Sequence, residues 1–125
     1  MQDESRKRRV LIVDDEQIIA DTLAMILIQT GFEATAVYSG ARAVEAAREL
    51  KPDILISDVI MAERNGIEAA LEIAQTLPGC RVILLSGQAA TAHLLERTER
   101  EGHHFEVIAK PVHPQVLLDL LKSTP

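Results

Sequence analysis

Five short apolar runs, each followed by a stretch with helical spacing, decide what this chain can fold into. The runs are Val10-Val13, Ala34-Tyr38, Ile54-Ile56, Val82-Leu85 and Val107-Ala109. The first, third and fourth are apolar without alternation and rich in β-branched residues, the pattern of strands covered on both faces of a parallel sheet. The second, within Glu33-Tyr38, is more mixed and suits a strand nearer an edge. Helices are expected over Gln17-Thr30, Ala41-Leu50, Gly66-Leu77, Ala89-Glu101 and Pro114-Lys122. Their ends carry stop signals: Gly31 accepts positive φ, Pro52 cannot continue a helix, and Pro78-Gly79 and Gly102 follow the third and fourth. Pro114 stands at a first-turn position where its missing N–H does no harm. Five strand–helix alternations predict an α/β fold, an open parallel sheet with right-handed crossovers and helices on both faces.

The 125 residues fit one domain, and 47% hydrophobic with 26% charged residues is ordinary globular composition. No apolar run approaches the roughly 20 residues a membrane span needs. Cys80 is the only cysteine, so no internal disulfide or cysteine-based zinc site can form. A soluble, cytoplasmic protein without membrane association is expected. The 19 acidic residues exceed the 13 basic ones by six. Arg6-Lys7-Arg8-Arg9 hold four of the basic groups, so the remainder carries nine against 19, or -10. Such an excess does not suit direct nucleic-acid binding. Residues 1–8 are polar and are expected to form a tail.

The informative residues lie where the runs end. Asp14, Asp15 and Glu16 directly follow the first run, Asp58 follows the third, Ser86 closes the fourth and Lys110 follows the fifth. In an open parallel sheet all of these reach the carboxyl edge, where ligands bind. A lone Asp after or before a strand is usually a helix cap or turn former, and Asp53 is read that way. Several chemically matched groups at one edge are a different matter. Three adjacent carboxylates repel one another unless a cation neutralises them. A hard divalent ion with oxygen ligands, such as Mg²⁺, answers that need. Lys110 offers a compact positive charge and Ser86 a hydroxyl donor. Together the parts describe a phosphoryl-transfer site with a carboxylate nucleophile.

At this point the chain resembles a bacterial response-regulator receiver domain of two-component signalling and chemotaxis. The resemblance is carried by Val10-Leu11-Ile12-Val13-Asp14-Asp15-Glu16, by Pro52-Asp53-Ile54-Leu55-Ile56-Ser57-Asp58 with Met61 and Gly66, by Val82-Ile83-Leu84-Leu85-Ser86-Gly87, and by Ala109-Lys110-Pro111. It implies a flavodoxin-like (βα)5 three-layer fold with strand order 2-1-3-4-5, the receiver occupying residues 9–123 and residues 124–125 an end or the start of a linker. It implies that Asp58 accepts a phosphoryl group from a sensor histidine kinase or a histidine phosphotransfer protein. Asp14, Asp15, Asp58 and the backbone carbonyl of Ile60 would hold Mg²⁺, with Asp14 acting through water. Lys110 would bind a phosphoryl oxygen, across a cis bond to Pro111, and Ser86 would swing inward to report the phosphoryl group. A downstream effector or output domain is a further implied partner, and a homodimer is possible.

Three departures from the family pattern stand out. Ala62 replaces the usual proline after Met61, Val107 replaces the usual aromatic three residues before the lysine, and Glu99-Arg100-Glu101-Gly102-His103-His104 makes a long polar connection. Phe105 is at the wrong offset to substitute for the missing aromatic.

The function expected is a phosphorylation-controlled switch rather than a metabolic enzyme. A receiver that binds partners without phosphorylation is the alternative, with Val107 in its favour. An α/β phosphatase with an Asp nucleophile would need a second Asp two residues later, where Ile60 stands, and a cap that 125 residues cannot supply. His93, His103, His104 and His113 lack helical zinc-site spacing and read as solvated loop residues. Cys80 reads as an inert small apolar group. On the first helix, Ile19, Leu23, Ile26, Leu27 and Thr30 should face the sheet, leaving Ile18, Met25 and Ile28 outward as a docking stripe.

Overall fold

The computed structural model describes residues 7–59, 66–87, 96, 98–100 and 102–122. Five strands form one sheet: β1 Arg9–Val13, β2 Glu33–Val37, β3 Ile54–Asp58, β4 Arg81–Ser86 and β5 Glu106–Ala109. They are all parallel and lie in the order β2-β1-β3-β4-β5. The helices are α1 Gln17–Gln29, α2 Gly40–Leu50, α3 Gly66–Thr76 and α4 Pro114–Lys122. Of the helix expected over Ala89-Glu101, residues 96 and 98–100 are helical, and the rest of that span lies outside the described residues.

The flavodoxin-like order and the three layers are those the resemblance implied. The two faces of β1 show how the layers form. Leu11 and Val13 join a core under α2 and α3 with Leu55, Val82, Leu84, Ile67 and Ile73. Val10 and Ile12 join a second core under α1 and α4 with Ile56, Ile83, Leu85, Leu27 and Leu117. Each fully buried Leu or Ile contributes roughly 2 kcal/mol of burial free energy. β2, which reads as an edge strand from its mixed composition, is one edge of the sheet, and its side chains are exposed or only partly covered.

Local endings follow the sequence chemistry. Gly31 sits at φ +107° past α1, in the region only glycine enters freely. α2 opens with the Ser39 side chain accepting from the Arg42 N–H. It closes through Lys51 at φ 48°, a left-handed residue that turns the chain directly into Pro52. On α1 the buried stripe is Ala20, Leu23, Ala24 and Leu27. Ile19, Ile26 and Thr30, expected to face the sheet, are only half-buried at its margin, because the small alanines bring the helix close along a slightly rotated face.

The amino-terminal edge of the sheet corrects the reading of Asp53. That residue caps no helix: its carboxylate accepts from the Arg9 N–H at 2.9 Å, and its own N–H donates to the Arg9 carbonyl at 2.9 Å. It therefore clamps the start of β1 to β3, while Arg9 also donates to the Leu50 carbonyl at the end of α2. One step along, the Arg81 guanidinium grips Glu106 through two bonds of 2.5 and 2.7 Å, tying β4 to β5. That hydrogen-bonded pairing holds the Glu106 carboxyl below the usual carboxylate range. Cys80 packs beside the α2–α3 core, and burial pushes its thiol up to about 12, in keeping with an inert apolar role. His104 and His113 are exposed and His103 stacks on Phe105 at 5.8 Å, while His93 lies outside the described residues. No helix among the described residues is long and apolar enough to cross a membrane.

Candidate functional site

The strand order creates the site. The connection through α1 leaves one face of the sheet and those through α2 and α3 leave the other, so a crevice opens between the carboxyl ends of β1 and β3. Val13 pairs with Ser57 in register, so Asp14 and Asp58 are the next residues on adjacent strands. Ser86 pairs with Ala109, which places Lys110 one step further at the same edge. The Lys110 N–H continues the ladder onto the Ser86 carbonyl at 2.9 Å, and the Lys110–Pro111 peptide bond is cis.

A shallow pocket of about 220 Å³ at this edge is lined by Asp15, Glu16, Asp58, Val59, Ser86, Gly87 and Lys110. Asp14, beside it, is fully buried at 0% exposed, while Asp15 is exposed. Asp14, Asp15 and Asp58 each present an oxygen within 4.8 Å of the others. Lys110 Nζ is 2.9 Å from Asp58 Oδ2 and 3.8 Å from Asp14 Oδ2. Of the two Asp14 oxygens, Oδ1 accepts the Glu16 N–H at 2.9 Å, whereas Oδ2 is buried with no hydrogen-bond partner among the described residues.

Electrostatics make this arrangement incomplete as it stands. Burial pushes the Asp14 carboxyl up, and the charges of Asp58 and Asp15 add to the effect against the Glu16 N–H and Lys110. Partial burial works against the Lys110 ammonium, but the hydrogen bond and charge of Asp58, with Asp14 and Glu16 behind it, hold it above an ordinary lysine. One lysine cannot neutralise three carboxylates. An orphaned buried carboxylate oxygen beside two others is what a divalent cation with oxygen ligands would satisfy, so the residues fit a metal ion. Ile60, whose backbone carbonyl is expected to join the set, lies outside the described residues, as do Met61 and Ala62.

Comparison with known proteins decides the family. Residues 10–122 match the family model described as the response regulator receiver domain. The chain belongs to this family. The receiver is 36% identical over 117 residues to the chemotaxis protein CheY of Thermotoga maritima, covering 93% of this chain and 96% of that one. It is 26% identical to the DNA-binding response regulator MtrA of Mycolicibacterium smegmatis, but it spans only 51% of that protein's length. Its fold matches a CheY-like response regulator receiver domain protein from Methanospirillum hungatei with a TM-score of 0.85 at 25% identity, covering 94% of this chain and 92% of that one. The acidic pocket is that of a receiver in phosphorylation-dependent two-component signalling.

All five side chains expected at the site, Asp14, Asp15, Asp58, Ser86 and Lys110, converge on one edge of the receiver. The geometry gives roles to two residues that the sequence reading names without one. Glu16, notable in the sequence only for following β1, lines the pocket, and its backbone fixes Asp14. Gly66, notable only as part of the motif, packs its bare Cα against the Asp58 peptide, where a Cβ would overlap the Asp58 carbonyl oxygen. The signal for Gly66 is its position eight residues beyond Asp58, but nothing local announces such a contact. Val107 lies on the edge strand β5 and is 40% exposed, while Phe105 is buried in the α2–α3 core, so neither takes the place of the missing aromatic.

Proposed function

We propose that Asp58 is the phosphoacceptor of this receiver and that Asp14, Asp15 and Asp58, with the Ile60 carbonyl, hold Mg²⁺. The observation that carries this reading is the pairing of Lys110 Nζ with Asp58 Oδ2 at 2.9 Å beside Asp14 Oδ2, which has no hydrogen-bond partner among the described residues. Asp58 supplies the attacking carboxylate oxygen. Lys110 exchanges that contact for one to a phosphoryl oxygen, a role suited to a compact ammonium. The Ser86 hydroxyl donates to another phosphoryl oxygen and so registers its presence. Bound Mg²⁺ supplies neutralisation of the charge on the transferred group. The added charge then biases an equilibrium between two surface conformations, which makes the chain a switch and not a metabolic enzyme. A cytoplasmic location follows from such a role.

Acetyl phosphate with Mg²⁺ tests the reading. Mass spectrometry should show a single phosphoryl adduct that does not form when Mg²⁺ is chelated beforehand and is absent from Asp58→Asn. An adduct that persists in Asp58→Asn contradicts the assignment.

The phosphodonor is proposed to be a sensor histidine kinase or histidine phosphotransfer protein that docks on α1. Ile18, Met25 and Ile28 are 82%, 59% and 53% exposed. An apolar groove of about 300 Å³ runs beside them past Ile19, Ile26, Pro111 and Val112 and reaches Lys110. A donor helix seated there would lie beside Lys110, whose Nζ is 2.9 Å from Asp58 Oδ2. Met25→Asp combined with Ile28→Asp should slow transfer from the cognate kinase at least tenfold, since two desolvated apolar contacts become charges. Labelling by acetyl phosphate controls for folding, and unchanged kinase transfer contradicts the docking face.

A further inference from the structure

Glu16 holds the N-cap position of α1 in extended backbone, at φ -86° and ψ 101°, yet its side chain makes no capping hydrogen bond. Glutamate is a poor residue for that position, where Ser, Asp or Asn would satisfy a first-turn N–H. Glu16 instead lines the phosphoacceptor pocket with Asp15, Asp58 and Lys110, and its charge acts on Lys110. Charge balance shows what it does there. Asp14, Asp15 and Asp58 carry three negative charges, and Lys110 with a divalent cation carries three positive ones, so the loaded inner set is neutral. Glu16 leaves the exposed mouth of the pocket with a net negative charge.

We propose that Glu16 is a specificity-determining residue that disfavours small, highly charged phosphodonors relative to donors held by a docked protein. This deepens the phosphoacceptor reading and rests on it. A free donor meets Lys110 and the cation as any donor does, but it has no contact outside the pocket to offset the repulsion from Glu16. A phosphohistidine on a docked helix draws on the apolar groove along α1, so the same repulsion is a small part of its binding. In either case a new bond forms from phosphorus to an Asp58 carboxylate oxygen as the bond to the leaving group breaks. Acetyl phosphate, a dianion, releases acetate. Phosphoramidate, a zwitterion of net charge minus one, releases ammonia and needs no further proton.

The test compares wild type, Glu16→Gln and Glu16→Asp, with rates of adduct formation from acetyl phosphate and phosphoramidate at saturating Mg²⁺. Glu16→Gln should speed labelling by acetyl phosphate about three- to fivefold at low salt, with the gain fading towards unity near ~1 M salt. The gain with phosphoramidate should be clearly smaller, because its charge is half as large, and Glu16→Asp should behave as wild type. Equal gains with both donors, no gain, or slower labelling accompanied by weaker Mg²⁺ binding in a direct titration would overturn the filter. If wild type forms no adduct with either donor, the phosphoacceptor reading fails and the proposal falls with it.

Discussion

Gly66→Ala is expected to destabilise the fold by about 3 kcal/mol or more and to disable Asp58 in whatever remains folded. A Cβ at Gly66 would overlap the Asp58 carbonyl oxygen and lie 2.9 Å from its carbonyl carbon and 3.1 Å from Ser57 Oγ. The obstacle is backbone at the end of β3, so no side-chain rotation relieves it. The Gly66 N–H also donates to the Val59 carbonyl at 2.8 Å, which pins α3 against the strand end. One methyl group must therefore push α3 off the core or bend the backbone of Asp58, a form of overpacking at the costly end of its range. Melting should fall by roughly 10 °C for a domain of this size, and labelling by acetyl phosphate should drop more than tenfold in the folded fraction. Gly79→Ala is the control: nothing lies within 4 Å of where its methyl group would sit, and a change within about 0.5 kcal/mol is expected there. Equal melting temperatures for the two variants would contradict the packing described.

Asp14→Asn should have the opposite sign in a chelator. The Asp14 carboxyl is raised by burial, so its protonated form is favoured in the folded chain. A group raised in this way contributes stability below its ordinary value that is lost as pH rises through the folded value. At neutral pH the cation-free protein therefore carries a buried, poorly compensated charge. The amide keeps the oxygen that accepts the Glu16 N–H and removes the charge. Thermal melts in EDTA near neutral pH should show Asp14→Asn more stable by about 1–3 kcal/mol, with the advantage shrinking as the pH falls towards the ordinary carboxylate range. Adding Mg²⁺ should raise the melting temperature of wild type, because binding to the folded state alone adds stability by mass action. The variant should lose most of that gain. A less stable variant in EDTA would show that the carboxylate is satisfied without a cation.

What can be read from the residues divides along physical lines. The unbroken apolar runs mark the strands to within one or two residues, because burial on both faces leaves no room for polar alternation. Asp14, Asp15, Asp58, Ser86 and Lys110 are legible because strand ends of a parallel sheet share an edge whatever the strand order. The order itself comes from family resemblance, since the alternation of strands and helices admits several. Asp53 misleads because its partner, Arg9, is 44 residues away and only the pairing of β1 with β3 brings them together. The face of α1 reads a little too broadly, because large apolar residues outweigh alanine in a periodic pattern, yet Ala20 and Ala24 are the ones that seat the helix. Glu16 and Gly66 are named in the sequence reading without their roles, for related reasons. A charge next to two aspartates looks like more surface, and a glycine's closeness to another peptide leaves no trace in its neighbours.

The most direct test of the central claim is chemical trapping of the acceptor. After phosphorylation with acetyl phosphate and Mg²⁺, borohydride reduces an acyl phosphate to the alcohol, so a phosphorylated aspartate becomes homoserine. Peptide sequencing should find homoserine at position 58 alone. Homoserine at position 14 or 15, or phosphate recovered on Ser86 or a histidine, would contradict the assignment of Asp58 as the group that receives the signal.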